Sequence, residues 1–448
     1  MEQSKPLFSN RKLFQLLWPL LTEQFLNVLV GMVDVVMVAS IGETAVSGVS
    51  LVDALNMLMI QFLGALTAGG TVVCSQYIGM KNMKKASQTA GQLFLITIGG
   101  AVAIVIGFLA GGEHLLRLIF GAVEADVMKN AYLYFVITTF SFPFLALYNS
   151  SAALFRAKGN SRISMKVSLL LNGMNVVGNA FCIYVLKMGV AGVAVPTLVS
   201  RMTAAVLLFL LLQRKDNEIR VKEITDLRPQ GSMIRSILGI GIPGGIESGM
   251  FQFGKLMLQS LVSTLGTASI AGYAVAGNLV TFLYLPGNSL GLGLTTVVGQ
   301  CVGAGEAEQA KDYTKKFVLL NYAFLAVLAT GLALGRYYWI GFYNLSPDAV
   351  YMASGLVLSH SIMMIIWPLG FLIPHAFRAA NDVRFTMIVS ITCMWLFRVA
   401  LAYVFVKLFN LSIFYVWYAM YIDWVFRVIA YLWRLRGFTE RIRGLKLR

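Results

Sequence analysis

Four side chains with oxygen atoms interrupt apolar stretches in the first half of this sequence: Asp34, Asp53, Asn175 and Asn179. Asp34 precedes the turn at 41–44 by about six residues, roughly 9 Å at the helical rise of about 1.5 Å per residue. By the same rise, Asn179 lies roughly 12 Å and Asp53 roughly 13 Å from the nearest turn. Asn175 precedes Asn179 by four residues and therefore faces the same way. We predict that these side chains share one polar site.

The chemistry that such a site supports is cation binding. A carboxylate in a low-dielectric environment can take up a proton near neutral pH. Amide oxygens beside the carboxylate favour instead a hard ion such as Na⁺, because hard cations prefer oxygen ligands. Both ions remain open, with Asp34, Asn175 and Asn179 as the Na⁺ ligands in the second case. The plainer alternative is that these groups only hydrogen-bond the helices to one another.

Four further ionisable residues interrupt apolar stretches, where charges are costly and tend to be functional. Glu23 and Glu247 each follow a proline by four residues, which favours a shared structural task such as bonding backbone groups that the proline frees. Arg201 and Lys255 are cations near the middle of apolar stretches and need counterions or water. Lys255 follows Glu247 by eight residues, so these two could pair through an intermediary. All four are candidates for substrate contact or for structural roles.

The remaining polar residues favour structural roles. Asp423 and Arg427 are spaced i, i+4 and most simply neutralise each other. Gln76 and Gln300 recur at matching places in the two halves of the chain and are further candidates for substrate contact or structure. The 3 histidines and 4 cysteines show no partner at catalytic or metal-binding spacing. We therefore expect no cofactor and no enzymatic activity.

The elements that carry these residues are hydrophobic helices. The chain has 448 residues, of which 58% are hydrophobic and 12% charged, whereas a water-soluble domain has roughly 25% charged residues. Its mean hydropathy is +0.75. Apolar stretches long enough to cross about 30 Å of hydrocarbon recur throughout. They predict an all-α polytopic membrane protein with twelve transmembrane helices, near 13–40, 45–77, 89–111, 127–150, 163–186, 190–212, 234–264, 268–300, 316–335, 348–375, 385–406 and 412–434.

The two halves of the chain are homologous. Residues 19–86 align without a gap with residues 243–310, and Phe155-Arg156-Ala157 matches Phe377-Arg378-Ala379 further along. Each half has an even number of spans, so the repeat is parallel rather than inverted. The sequence therefore predicts two pseudo-symmetric six-helix bundles. We expect helices 1–6 in residues 1–212, a cytoplasmic linker with a short amphipathic helix from residue 213 to 233, and helices 7–12 in residues 234–448.

Positive charge is distributed according to topology. The formal net charge is +16, and basic residues cluster before span 1 and after every even-numbered span. The positive-inside rule then places both termini in the cytoplasm. This distribution accounts for the charge without nucleic acid as a partner.

Several motifs together resemble the multidrug and toxic compound extrusion (MATE) family, over essentially the whole chain. They are Val33-Asp34-Val35-Val36-Met37 before Gly42, Gln76-x-x-Gly79 with Gln300-x-x-Gly303, the paired Phe-Arg-Ala segments, Asn175-x-x-x-Asn179, and Gly192 to Ser200-Arg201. The resemblance implies two six-helix bundles that export organic cations in exchange for H⁺ or Na⁺. It also implies that Asp34 is the acidic residue of the coupling site and that Asn175 and Asn179 are its polar partners.

The sequence departs from the family's pattern at several positions. Position 39 is alanine, where the family often has glycine, and position 179 is asparagine, where many members carry aspartate. The second change removes one negative charge from the site. Some members use an acidic residue in span 10, but nothing between Ala349 and Asn381 is acidic. Glu247 lies nearer the start of its span than the deep carboxylate of those members, so we do not expect a coupling network in the second half.

The function expected is secondary antiport of small organic cations by alternating access, in the lipid of a bacterial plasma (cytoplasmic) membrane and by a monomer. No Walker-type phosphate loop is present in the sequence, which argues against ATP as the energy source. One alternative is a lipid-linked or polar-metabolite flippase of related architecture, for which a strongly cationic cavity is expected; only Lys255 and Arg201 qualify. A major-facilitator carrier is disfavoured because Gly79–Ser87 does not show that class's basic, acidic-flanked loop between spans 2 and 3.

Overall fold

A computed structural model describes residues 6–121, 123–221 and 227–445, and every regular element in these ranges is helical. The first half contains α1 (Asn10–Ala39), α2 (Glu43–Gly79), α3 (Met83–Phe120), α4 (Ala125–Phe140), α5 (Phe142–Ala157), α6 (Ser161–Ala180) and α7 (Ala191–Leu212). The second half contains α8 (Gly231–Ser263), α9 (Thr267–Gly303), α10 (Ala307–Gly341), α11 (Pro347–Met363), α12 (Trp367–Ala379), α13 (Val383–Thr392), α14 (Leu401–Tyr403), α15 (Phe414–Leu435) and α16 (Phe438–Arg443).

The twelve predicted spans are confirmed as long helical stretches. Within the described residues, 8 single helices are long and apolar enough to cross a membrane, and two bent pairs bring the number to 10. The bent pairs are α4 with α5, at 44°, and α11 with α12, at 55°. The remaining two stretches are α8, with 33 residues, and α15, with 22 residues. Both are long enough to span but carry charged residues near their middle, which lowers their hydropathy.

The repeat is visible in the lengths and in the packing of the helices. Helices α2 and α9 have 37 residues each, and both contact the first helix of the bent pair that follows them. A Cβ atom on Gly48 would lie 2.9 Å from the Val127 carbonyl oxygen of α4. A Cβ atom on Gly272 would lie 3.1 Å from the Ala349 carbonyl oxygen of α11. Glycine at both positions therefore allows two helix backbones to approach closely.

Several helices are longer than their apolar stretches predicted. Residues 113–120 continue α3 beyond a kink at Gly112, where φ is 48°. Glycine tolerates this left-handed conformation at no steric cost. In the second half, Arg336 continues α10 without a kink. Hydropathy identifies only the apolar part of a helix and does not detect polar ends that extend beyond it.

The chain forms two compact units, Phe8–Gly245 and a second built from Ile246 onwards. Their boundary lies inside α8, beyond the expected linker 213–233, because the first turns of α8 pack against α2. There the Ile237 carbonyl oxygen faces Gly69, and Gly241 lies against Leu66. The described part of the linker consists mainly of turns and bends, whereas residues 222–226 lie outside the described residues.

Three π-helical segments widen two of the spans. Phe181–Val185 continues α6, Cys393–Ala400 follows α13, and Val404–Leu408 follows α14. The first and third occupy nearly equivalent places in the repeat. The second, Cys393–Ala400, corresponds to a stretch that is ordinary α-helix in α6. Wide turns of this kind are frequently found at functional sites.

Candidate functional site

Asp34 lies on α1 and is contacted by two amides from α6. Asn179 Nδ2 donates a hydrogen bond to Asp34 Oδ1 at 2.9 Å. With its amide nitrogen turned toward the carboxylate, Asn175 lies 3.2 Å from both Asp34 oxygens, and its own oxygen accepts from Thr197 Oγ1 at 3.0 Å. The i, i+4 spacing on α6 thus places both amides beside one carboxylate.

The same group contains an oxygen without a partner. Asn179 Oδ1 is buried and forms no hydrogen bond within the described part of the chain. A buried acceptor without a donor is unfavourable by about 1–3 kcal/mol. Because an amide can present either nitrogen or oxygen, Asn175 and Asn179 have the donor set to stabilise a lone carboxylate and the acceptor set to ligate a cation.

Asp53 lies on α2 in a second, adjoining set of contacts. Its Oδ1 accepts from the Tyr134 hydroxyl at 3.0 Å and from Asn56 Nδ2 at 3.3 Å. Its negative charge acts on Asp34. Tyr134 and Asn56 were not anticipated. Asn56 follows Asp53 by three residues and was detectable from spacing, whereas Tyr134 comes from α4 and carries no local signal.

Arg201 on α7 supplies positive charge to this site. Its Nη1 donates to Ser141 Oγ at 2.7 Å, at the break between α4 and α5. The guanidinium also interacts electrostatically with Asp53 and Asp34. Asp53 and Asp34 thus act on Arg201 through their charge, and within the described residues neither forms a direct salt bridge with it.

A row of polar contacts joins α1 to α6 between Asp34 and the start of α1. Asn172 Nδ2 donates to Asn27 Oδ1 at 2.8 Å, and Ser164 Oγ donates to Glu23 Oε2 at 3.5 Å. We call these residues the α1–α6 polar seam. Sequence reasoning missed Asn27 and Asn172, although Glu23 and Asn27 are spaced by four residues and so share a helix face.

Glu23 and Glu247 have equivalent arginine partners in their own units. Arg378 Nη2 donates to Glu247 Oε1 at 2.7 Å. Arg156, which matches Arg378 in the repeat, interacts electrostatically with Glu23. The contact that Glu247 makes is with an arginine from another helix, and its pairing with Lys255 through an intermediary stays a prediction.

The other candidates lie apart from Asp34. Gln76 and Gln300 are buried on α2 and α9. Arg427 pairs with Asp423 at 2.8 Å, which confirms the neutralisation that their spacing predicted. Lys255 lies on α8 in the second unit, where its neighbour is a second cation rather than a carboxylate.

Comparison with known proteins identifies this arrangement of helices. The MatE family model matches residues 19–181 and 243–404, that is, both halves of the repeat. The chain belongs to the MatE family. It is therefore a membrane transporter of the multidrug efflux type and not an enzyme, as the sequence motifs predicted.

Relatives of this MatE chain align along nearly its whole length. The probable multidrug resistance protein NorM of Thermotoga maritima is 25% identical over 441 residues, covering 96% of this chain and 93% of the relative. The multidrug export protein MepA of Staphylococcus aureus (strain MSSA476) is 22% identical over 391 residues, covering 87% and 85%. Among solved structures, the outward-facing conformation of a multidrug resistance MATE family transporter has a TM-score of 0.90 at 19% identity, covering 97% and 96%. That likeness shows the MatE fold.

Proposed function

We propose that this MatE transporter is an antiporter that exports organic cations in exchange for H⁺ or Na⁺, by alternating access and as a monomer. The observation that carries the proposal is the contact of Asp34 with the Asn179 amide at 2.9 Å, next to an amide oxygen that lacks a partner. A lone carboxylate with neutral amides around it can hold either a proton or a hard cation. Asp53 adds a second negative charge to the same region.

Competition between Arg201 and the coupling ion supports an exchange mechanism. In the ion-free site, Arg201 balances part of the negative charge of Asp34 and Asp53. A bound cation cancels that charge and weakens the hold of Arg201, whose other anchor is Ser141 at the α4–α5 break. Ion binding therefore alters the forces on a bend in the first unit. We propose that this change accompanies release of the substrate.

Helix α1 has the features of an element that can change shape. It is continuous over 30 residues with Pro19 inside it, and proline removes a backbone hydrogen bond at that point. Apart from the backbone of α1 itself, no atom of the described residues lies within 4 Å of a Cβ atom built on Gly31, so no neighbouring helix packs against α1 at that point. We propose that α1 bends or repacks when Asp34 loads its ion. In this arrangement both termini lie in the cytoplasm, as the positive-inside rule predicts.

The proposal is tested with the purified full chain in sealed proteoliposomes. The probe is the ethyl ester of rhodamine B, a fluorescent organic cation, and its movement is followed under an imposed pH gradient or an imposed Na⁺ gradient. We expect one gradient to drive movement and Asp34→Asn to abolish it. Asp126→Asn removes an exposed carboxylate from the start of α4 and serves as the matched control, with wild-type movement expected. The proposal would be overturned if movement of the probe depended on neither gradient, or if Asp34→Asn still moved the probe.

A further inference from the structure

At one neighbouring pair of positions in the repeat, the two units carry charges of opposite sign. In the first unit, Asp34 on α1 faces α6. In the second unit the helices at the same places in the repeat are α8 and the span that begins with α13 (residues 383–408), and their charged residues include Lys255 and Arg398. In the register of the repeat, Lys255 corresponds to Gly31, one turn from Asp34. A site of reversed polarity thus lies at the same location in the second unit.

Lys255 and Arg398 meet at one aromatic ring. Lys255 Nζ lies 5.4 Å from the centroid of the Phe251 ring, and Arg398 Cζ lies 5.5 Å from the same centroid. Their charges repel each other. Across residues 6–121, 123–221 and 227–445, neither cation forms an ion pair. Two like charges held together without a carboxylate are unfavourable unless an anion joins them.

The Arg398 guanidinium has N–H donors that are not paired with an oxygen acceptor. Its Nη2 contacts the Met420 sulfur at 2.8 Å, and a thioether is only a weak acceptor. Its Nε is buried and has no hydrogen-bond partner within the described residues. A guanidinium fork that lacks an oxygen acceptor matches the geometry of a carboxylate or another oxyanion. Lys255 is exposed on the surface of its own unit.

The backbone is adapted to bring the two cations together. Arg398 lies in the π-helical segment Cys393–Ala400, whose equivalent in the first unit is ordinary α-helix. The side chains of Met394 and Val399 in that segment pack against Gly254, which precedes Lys255 in the sequence. A side chain on residue 254 would meet the Met394 side chain, so glycine permits the close approach of the two helices.

We infer that Lys255 and Arg398 bind an anionic group of the transported molecule, a carboxylate or a comparable oxyanion. The inference rests on the proposed function and refines it. A substrate that carries a carboxylate therefore has a charge partner within the second unit. Phe251 contributes an apolar ring next to both cations.

The anion could instead be the headgroup of an acidic lipid, but the direction of Lys255 argues for the substrate. Lys255 precedes Ser263, the last residue of α8, by eight residues, or roughly 12 Å. A lysine that reaches for a headgroup extends toward the nearer membrane interface. The Lys255 ammonium lies over Phe251, one turn in the opposite direction.

The test compares two fluorescent probes that differ in one group. Rhodamine B carries a free carboxylate beside its xanthylium cation, and its ethyl ester carries the same cation alone. Binding of each to the full chain in phosphatidylcholine nanodiscs is measured by fluorescence polarisation. We expect wild type to prefer rhodamine B over the ester by about tenfold, the scale of one charge-assisted hydrogen bond.

Lys255→Met and Arg398→Met each remove one charge and keep an unbranched stem. We expect both variants to lose most of the preference for rhodamine B while binding of the ester changes by less than about twofold. Unchanged ester binding also shows that a variant is folded. The matched control is Lys407→Met in the same unit, an exposed lysine that donates to Thr264 Oγ1 at 3.0 Å; this variant should keep the wild-type preference. Equal binding of the two probes by wild type would overturn the inference.

Nanodiscs with added phosphatidylglycerol separate substrate from lipid. If the site serves the substrate, the preference for rhodamine B persists in both lipid mixtures. If acidic lipid abolishes the preference in wild type, the site belongs to the lipid and the substrate assignment fails. Gradient-driven movement of the ester in proteoliposomes is read in parallel. If a gradient drives movement of the ester but wild type shows no binding preference for rhodamine B, only this inference is contradicted. If neither gradient drives movement of the ester, the proposed antiport is contradicted.

Discussion

The side-chain amide of Asn179 on α6 donates to the carboxylate of Asp34 on α1, with 2.9 Å between Nδ2 and Oδ1. The resemblance to the MATE family implies an aspartate at this position in many members, whereas this chain has a neutral amide. The amide stabilises the ionised carboxylate without adding charge. With Arg201 also close, the net charge of this site is less negative than its two carboxylates alone would give.

Asn179→Asp should strengthen binding of the coupling cation. The new carboxylate lies within hydrogen-bonding distance of Asp34, and each added charge at about 4 Å contributes about 1–4 kcal/mol of attraction to a cation in a polar environment. We expect the half-saturating concentration of the driving ion to fall by about tenfold, measured as ion-dependent probe movement in proteoliposomes. Asn172→Asp, on the same helix but bonded to Asn27, is the control. An unchanged or raised concentration in Asn179→Asp would contradict the role given to Asp34.

Arg201→Met should act in the same direction by a different route. Removing the guanidinium leaves Asp34 and Asp53 without their positive neighbour, so the cation-loaded state becomes the more stable one. We expect tighter ion binding and slower turnover, by about tenfold, because release of the ion becomes the slow step. Pre-steady-state and steady-state rates of probe movement separate these effects. Faster turnover with weaker ion binding would show that Arg201 does not compete with the ion.

Glu247→Gln should destabilise the second unit more than Glu23→Gln destabilises the first. Arg378 contacts Glu247 at 2.7 Å, and removing one partner of a largely buried pair costs about 1–3 kcal/mol when the pair keeps some exposure. The nearest hydrogen-bond partner of Glu23 is Ser164, at 3.5 Å, so less is lost there. Thermal unfolding followed by intrinsic fluorescence measures both variants. The exchange Glu247→Arg with Arg378→Glu should recover part of the loss.

Gly48→Ala should lower stability through a backbone clash. The added methyl carbon would lie 2.9 Å from both the Ala131 nitrogen and the Val127 oxygen of α4, and overpacking of this kind costs about 1–3 kcal/mol. Gly64→Ala on the same helix meets no atom of another described helix within 4 Å and provides the control. We expect its melting temperature to equal or slightly exceed that of wild type, since alanine is the better helix former. Equal melting of the two variants would exclude close packing at Gly48.

The fold and the centre of the site could be predicted because both depend on patterns within single helices. Apolar length gave the spans, and the internal repeat gave their grouping. The i, i+4 spacing of Asn175 and Asn179 placed two amides on one face, and similar depth linked them with Asp34. Pairing the first span with the fifth required no contact information beyond this.

Contacts between distant helices could not be predicted in this way. Tyr134 reaches Asp53 from α4, and Arg378 reaches Glu247 from α12. Arg398 was not predicted as a site residue because no acidic or polar residue lies next to it in the sequence. The π-helical segment that carries it is a change in backbone hydrogen bonding, which apolar periodicity does not record. The site in the second unit therefore emerged only once the helices were assembled.

Packing of the first half of the chain depends on the first turns of α8, which are synthesised later. The first compact unit ends at Gly245, and Gly69 on α2 packs against Ile237 at the beginning of α8. A nascent chain that has completed α7 still lacks this contact. The first half of the repeat consequently reaches its final packing only after the opening turns of the second half have left the ribosome. Two fragments divided within 213–233 would leave that surface of α2 bare until the second fragment arrives, whereas fragments divided after Gly245 would interrupt a helix instead.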